Sequence, residues 1–117
     1  MKIAKFSLDD GYLKAKELIE KNPDIDSLFC ATDNIAIGAM QYLKECGKKI
    51  PEDISIVGFG HTNISKLVDP KLTTVHFHYK TSGIEAANII VNMIENQDKI
   101  IRDVKMGYEI IAQESTN

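Results

Sequence analysis

Hydrophobic and polar positions follow two rhythms along this chain. Leu28-Phe29-Cys30-Ala31 is a short apolar run with no polar break, as expected of a strand buried on both faces. Thr32-Asp33-Asn34 stops it with side chains suited to capping a helix. Apolar residues then recur at Ile35, Ala36, Ala39, Met40 and Leu43, one stripe of a helix over 34–46. A buried strand feeding an amphipathic helix through a polar turn is the front half of a βαβ unit. Ligands of open parallel sheets bind beyond the carboxyl ends of strands, so Thr32, Asp33 and Asn34 stand where a ligand would sit.

The same reading extends both ways. Lys2–Phe6 alternates like a short strand, and Ser7, Asp9 and Asp10 open a helix to about Lys21 whose inner stripe is Tyr12, Ala15, Leu18 and Ile19. Asn22-Pro23-Asp24 ends it, and Gly47 is the expected C′ residue of the second helix. Ile54–Phe59 is the next strand, stopped by Gly60 and followed by a polar loop or a helical turn from His61 to Pro70. Leu72–Tyr79, rich in β-branched and aromatic residues, predicts another strand. Thr81, Ser82 and Gly83 open a long helix with Ala86, Ala87, Ile90, Val91 and Ile94 inward, closed by Asn96-Gln97-Asp98. Two tail strands are expected at Ile101–Met106 and Tyr108–Gln113. The alternation predicts an α/β fold, a mostly parallel sheet flanked by helices with right-handed crossovers.

Composition narrows the function classes. The chain has 117 residues, enough for one modest domain with a real core, and 44% hydrophobic with 26% charged residues is ordinary for a globular protein. A net charge of −3 with scattered lysines argues against nucleic-acid binding by this segment itself. No apolar stretch reaches the ~20 residues that span a bilayer. The start, MKIAKFSLDD, lacks the apolar core of a signal peptide, so a cytoplasmic protein is expected unless a leader has been removed. Cys30 and Cys46 are too far apart for a CxxC motif and read as reduced thiols.

Candidate chemistry gathers at three strand ends: Thr32/Asp33, Gly60/His61 and His76–Tyr79. Parallel pairing would bring the first two to one edge of the sheet. Asp33 could accept two sugar hydroxyls, or accept backbone N–H groups at the helix start, and a carboxylate has lone pairs enough for both. Phe77 and Tyr79 could stack on the apolar face of a sugar, although strand aromatics more often belong to a core. His76-x-His78 points two imidazoles to one face, but no third or fourth ligand is near in sequence, so no metal is expected. Gly58-Phe59-Gly60 lacks the third glycine of a dinucleotide fingerprint, since position 63 is Asn. No GxSxG elbow and no nucleophile with an assigned base is present, so no catalytic residues and no cofactor are expected.

Cys30–Ala39 (CATDNIAIGA), Ile50–Phe59 (IPEDISIVGF) and Pro70–Val75 (PKLTTV), in this order and spacing, resemble the regulatory domain of LacI/GalR-family transcriptional repressors. Gly83 with its Ala-containing helix and the closing Gln113-Glu114-Ser115-Thr116 fit the same template, over nearly the whole chain. His76–Gly83 (HFHYKTSG) looks most like Gram-positive disaccharide repressors of the sucrose type. The resemblance implies a two-lobed, periplasmic-binding-protein-like domain that binds a small carbohydrate effector and forms a homodimer. DNA would be reached only through a headpiece absent from this chain. Residues of about 1–75 and 107–114 would belong to the C-terminal lobe, and about 79–100 would be a helix of the other. A solute-binding protein of a sugar transport system shares the fold and is the alternative. Three departures stand out, one being Gln113 where the family usually has Arg before the closing Glu-Ser-Thr. The family commonly has Asp after the Gly-aromatic pair, where this chain has Gly60 followed by His61, and a polar residue is common where Phe77 stands. Either effector recognition falls to Thr32, Asp33, Gly60, His61, Phe77 and Tyr79, or the ligand is not a typical monosaccharide.

Overall fold

The computed structural model describes every residue except 4, 98 and 99. Its elements run α1 (Leu8–Lys21), β1 (Ser27–Phe29), α2 (Asp33–Glu45), β2 (Ser55–Phe59), a 3-10 turn (Asn63–Lys66), β3 (Thr73–Phe77), α3 (Tyr79–Glu95) and β4 (Tyr108–Ile111). The sheet order is β1-β2-β3-β4, and β1 with β2 and β2 with β3 are parallel. The predicted α/β alternation is therefore present.

Local signals account for the helix ends. Ser7 Oγ accepts the Asp10 N–H at 3.2 Å, and Thr32 Oγ1 accepts the Ile35 N–H at 3.3 Å. After α2, Gly47 takes the left-handed conformation at φ 77°. The stripe of α2 is buried as expected, with Ile35, Ala36, Ala39, Met40 and Leu43 in one core with Ile56 of β2, Ile54 and Leu72 just ahead of β2 and β3, and Ala15 and Ile19 from α1. Each large apolar side chain so enclosed contributes about 1.5–3 kcal/mol. The two helices meet through glycine. A Cβ on Gly11 would lie 2.3 Å from the Ile35 carbonyl oxygen, and one on Gly38 would lie 1.9 Å from that of Leu8. Backbone contact this close needs a residue without a side chain.

Several expected boundaries are corrected. Lys2, Ile3, Lys5 and Phe6 form no strand, and residue 4 of that segment lies outside the described residues. The run 28–31 is not a strand buried on both faces. The strand is Ser27–Phe29, Phe29 is 69% exposed, and only Cys30 beyond it is buried. It is the edge strand of the sheet, and helix packing covers one of its faces. Ile101–Met106 is not a strand, and Leu72 and Tyr79 lie outside β3. Helix α3 begins at Tyr79, ahead of the expected Thr81–Gly83 start, with no side-chain cap from His78. It ends at Glu95, with Asn96 as C-cap; Asp98 lies outside the described residues. The sequence predicts that its apolar positions face inward, yet no residue of α3 is buried.

The chain divides into two compact units, Met1–His76 with Ile110–Asn117, and Phe77–Glu109. The first holds the core. Within it Ser115 ties β2 to β3: its Oγ donates to the Ile56 carbonyl at 2.6 Å and accepts the Thr73 N–H at 2.8 Å, and its carbonyl accepts the Ile56 N–H at 2.8 Å. The second contains α3, Phe77 and Tyr79 with ring centres 5.8 Å apart, and His78 with Nε2 3.8 Å from Glu109 Oε1.

Candidate functional site

Parallel pairing of β1 with β2 puts the carboxyl ends of both strands on the same side of the sheet, with Phe29 opposite Val57. Thr32 and Gly60, each just past its strand, therefore share one rim, as the sequence predicts.

Asp33 organises this rim. It is fully buried, and its carboxylate accepts three hydrogen bonds: Thr74 Oγ1 on Oδ1 at 2.5 Å, with the Thr62 N–H at 2.6 Å and Thr62 Oγ1 at 2.8 Å on Oδ2. Side chain Thr32 caps α2, so Asp33 is released from that duty and joins α2 to the loop after β2 and to β3. Gly58 leaves room for it, since a Cβ there would approach Asp33 Oδ1 to 2.6 Å. A buried carboxylate needs such partners, because leaving one without them costs several kcal/mol.

Loop residues 60–66 are seated by this anchor. Gly60 donates its N–H to the Val75 carbonyl at 2.9 Å, and its φ of 129° is one that glycine adopts freely. His61 follows at φ 49°, a left-handed conformation uncommon outside glycine, and donates its N–H to Thr74 Oγ1 at 3.2 Å. Ser65, fully buried, donates Oγ and N–H to the Thr62 carbonyl and accepts the Leu72 N–H on its own carbonyl at 2.9 Å. The half-buried His61 ring meets that of His76 edge to face at 5.1 Å. Burial, then Lys66 and His76, push the His61 pKa below its ordinary value, and Asp33 partly opposes the shift.

Of the expected site residues, Thr32, Asp33, Gly60 and His61 meet on this rim, whereas Phe77 and Tyr79 belong to the second compact unit. Asp33 is placed inward, with no exposed surface. Thr62 and Thr74 escaped the sequence reading, because their role depends on partners 29 and 41 positions away. So did the edge-to-face pair Phe29–Phe59, 6.4 Å apart at the ends of β1 and β2, for which an aromatic at the end of each strand was the available signal. A cavity of about 480 Å³ lies elsewhere, along α1 and the edge strand, against Leu18, Ile25, Leu28 and Phe29. None of the expected site residues lines it. No group of three or more metal-ligating side chains occurs among the described residues.

The fold has relatives among known proteins. Residues 3–116 match the family model of the periplasmic binding protein-like domain. A curated relative, the HTH-type transcriptional repressor PurR of Vibrio atlanticus, is 33% identical over 108 residues, which is 92% of this chain and 32% of that protein. The chain spans about a third of the length of the curated relatives it matches. Among solved structures, a transcriptional regulator CelR–cellobiose complex superposes with a TM-score of 0.92 at 26% identity, over 96% of this chain and 34% of that one. A LacI family transcriptional regulator from Enterococcus faecium with bound ribose gives 0.85 at 28%, over 97% and 41%. The chain belongs to the periplasmic binding protein-like domain family, and its relatives there are LacI-family transcriptional regulators.

Proposed function

We propose that this chain is the C-terminal part of the effector-binding and dimerisation domain of a sugar-responsive transcriptional repressor, cytoplasmic and not an enzyme. The observation that carries the reading is the rim itself: two parallel strand ends present Thr32, Gly60 and His61, while Asp33 braces the loop between them from inside. In that arrangement Asp33 positions the site, and the outward groups meet the ligand. Phe77 and Tyr79, the latter 58% exposed, belong to the second compact unit and are kept as its candidates for stacking on an apolar sugar face. Relatives bound to cellobiose and ribose support a small carbohydrate effector.

Residues of about 1–75 and 107–114 would form one lobe and about 79–100 a helix of the other. DNA contact is assigned to a headpiece outside this chain, and the homodimer contact to the turn after β2, where Leu67 is 82% exposed, together with neighbouring α2. Effector would act through its differential affinity for two lobe arrangements, and by nothing else. The named relatives are regulators, which favours this reading over a transport solute-binding protein.

Calorimetry on the intact regulator with cellobiose, ribose, lactose and sucrose tests the proposal. Binding of at least one sugar, weakened at least tenfold by His61→Ala in a folded variant, is expected. Equal affinity in the variant removes His61 from the site, and failure of every neutral sugar to bind overturns the carbohydrate assignment.

A further inference from the structure

The loop between β2 and the 3-10 turn is held to β3 by His61 in an unusual way. The residue sits at φ 49°, its N–H is spent on Thr74, and its ring lies edge-on to His76. Its Nδ1 is buried with no hydrogen-bond partner among the described residues. A neutral ring tolerates this by keeping its proton on Nε2, so that Nδ1 is a bare lone pair. A protonated ring cannot, because it must bury an N–H that has no acceptor.

The charges around the ring point the same way. Lys66, on the same loop, and His76, on β3, both oppose a positive charge there. Asp33, from α2, is the facing carboxylate among the described residues, and its oxygens are already engaged by Thr62 and Thr74. Strand β2 contributes no titratable group.

We propose that the His61–His76 pair makes this rim a proton-responsive latch: the loop 60–66 stays seated while the His61 ring is neutral and is released when that ring takes a proton. The inference rests on the effector-site reading for its consequence, namely that acidification weakens effector binding, but the latch itself operates without effector.

The sign follows from linkage. The seated loop binds the proton less readily than the released loop, so the seat is fully held above the ordinary histidine pKa of 6.5 and is lost progressively as pH falls below it. The effector outcome is expected to track the latch because His61 is itself on the rim.

Amide hydrogen exchange on the 117-residue chain without any sugar, corrected for intrinsic rates, tests the latch between about pH 7.5 and about pH 5.5, across the ordinary histidine range. The His61, Thr62 and Ser65 amides are expected to lose protection several-fold at the acid end while those of the α2 interior hold theirs. The His61 ring, followed by its Cε1–H resonance, is expected to titrate below the free-histidine value. In Lys66→Gln and in His76→Phe, which keeps an aromatic edge, that midpoint should move up and the acid loss of protection should shift with it. Unchanged loop protection across the range, or a His61 midpoint at or above the free value, overturns the latch. Should His76→Phe fail to fold, Lys66→Gln alone decides the direction. Sugar titration of the intact regulator at both pH values is a separate arm: a working latch with no sugar binding sinks the effector reading and leaves the latch standing.

Discussion

Thr74 Oγ1 donates a 2.5 Å hydrogen bond to Asp33 Oδ1 across 41 positions of sequence, and both residues are completely buried. The same hydroxyl accepts the His61 N–H, so one threonine joins the carboxylate inside the domain to the loop on its rim. Replacing the hydroxyl with a methyl group of equal shape leaves a buried charged acceptor one donor short and a backbone donor with none. Thr74→Val is expected to cost about 2–3 kcal/mol in urea unfolding, within the range for orphaned buried polar groups. A loss under about 0.5 kcal/mol would mean that the network relaxes onto other partners.

Glycine substitutions separate close packing from open space. Gly38→Ala places a methyl group 1.9 Å from the Leu8 carbonyl oxygen and 2.8 Å from the Tyr12 nitrogen, so α1 and α2 must move apart. It is expected to lower the thermal midpoint, at a cost of about 1–3 kcal/mol or more. Gly83→Ala, inside α3 with nothing within 4 Å of the new methyl, should instead raise helix content and stabilise by about 0.5–1 kcal/mol. Melts followed by circular dichroism read the opposite signs, and two destabilising substitutions would contradict the open environment of Gly83.

Acid should loosen the attachment of α1 to the residues before it. Hydrogen bonds from Lys14 and Lys2 hold the Glu17 pKa at about 2, against an ordinary 4.5. The native state therefore binds the proton less readily than the unfolded one. The contribution is present above 4.5 and fades as pH falls towards about 2. Both ion pairs are exposed to solvent and screened by salt, so the effect is small. Glu17→Gln should flatten the stability profile in that window and reduce its salt dependence. A profile identical to that of the parent chain would show the pairs to be energetically silent.

The two thiols should react at different rates. Burial pushes the Cys30 pKa up to about 12, whereas Cys46 is exposed at the end of α2. Thiolate is the reacting species, so a disulfide reagent near neutral pH is expected to label Cys46 in a fast phase and Cys30 only on unfolding. Peptide mapping of the first-labelled site checks this, and early modification of Cys30 would refute its burial.

Much of the framework is legible in the order of residues. Ser7 and Thr32 cap their helices because a short hydroxyl side chain can reach a backbone N–H three positions on, and Gly47 ends α2 because only its own φ must turn positive. The stripe from Ile35 to Leu43 follows from helical period alone, and it sets which face meets the sheet. All of these depend on neighbours within about one helical turn.

Tertiary structure decided the rest. Thr32 took the cap, which left Asp33 free to reach Thr62 and Thr74, and no local rule could assign the two side chains to different tasks. Ser115, in a tail that reads as ordinary polar residues, closes the gap between β2 and β3. Gly11 and Gly38 look like weak points in their helices until the chain brings each against the other helix's backbone. The exposure of Phe29 and of the whole apolar side of α3 was equally invisible, since periodicity shows which side chains share a face and not whether anything covers it. Local sequence sets dihedral angles and faces through contacts a few residues long. Partners tens of positions apart are chosen only when the packed backbone fixes the distances between them.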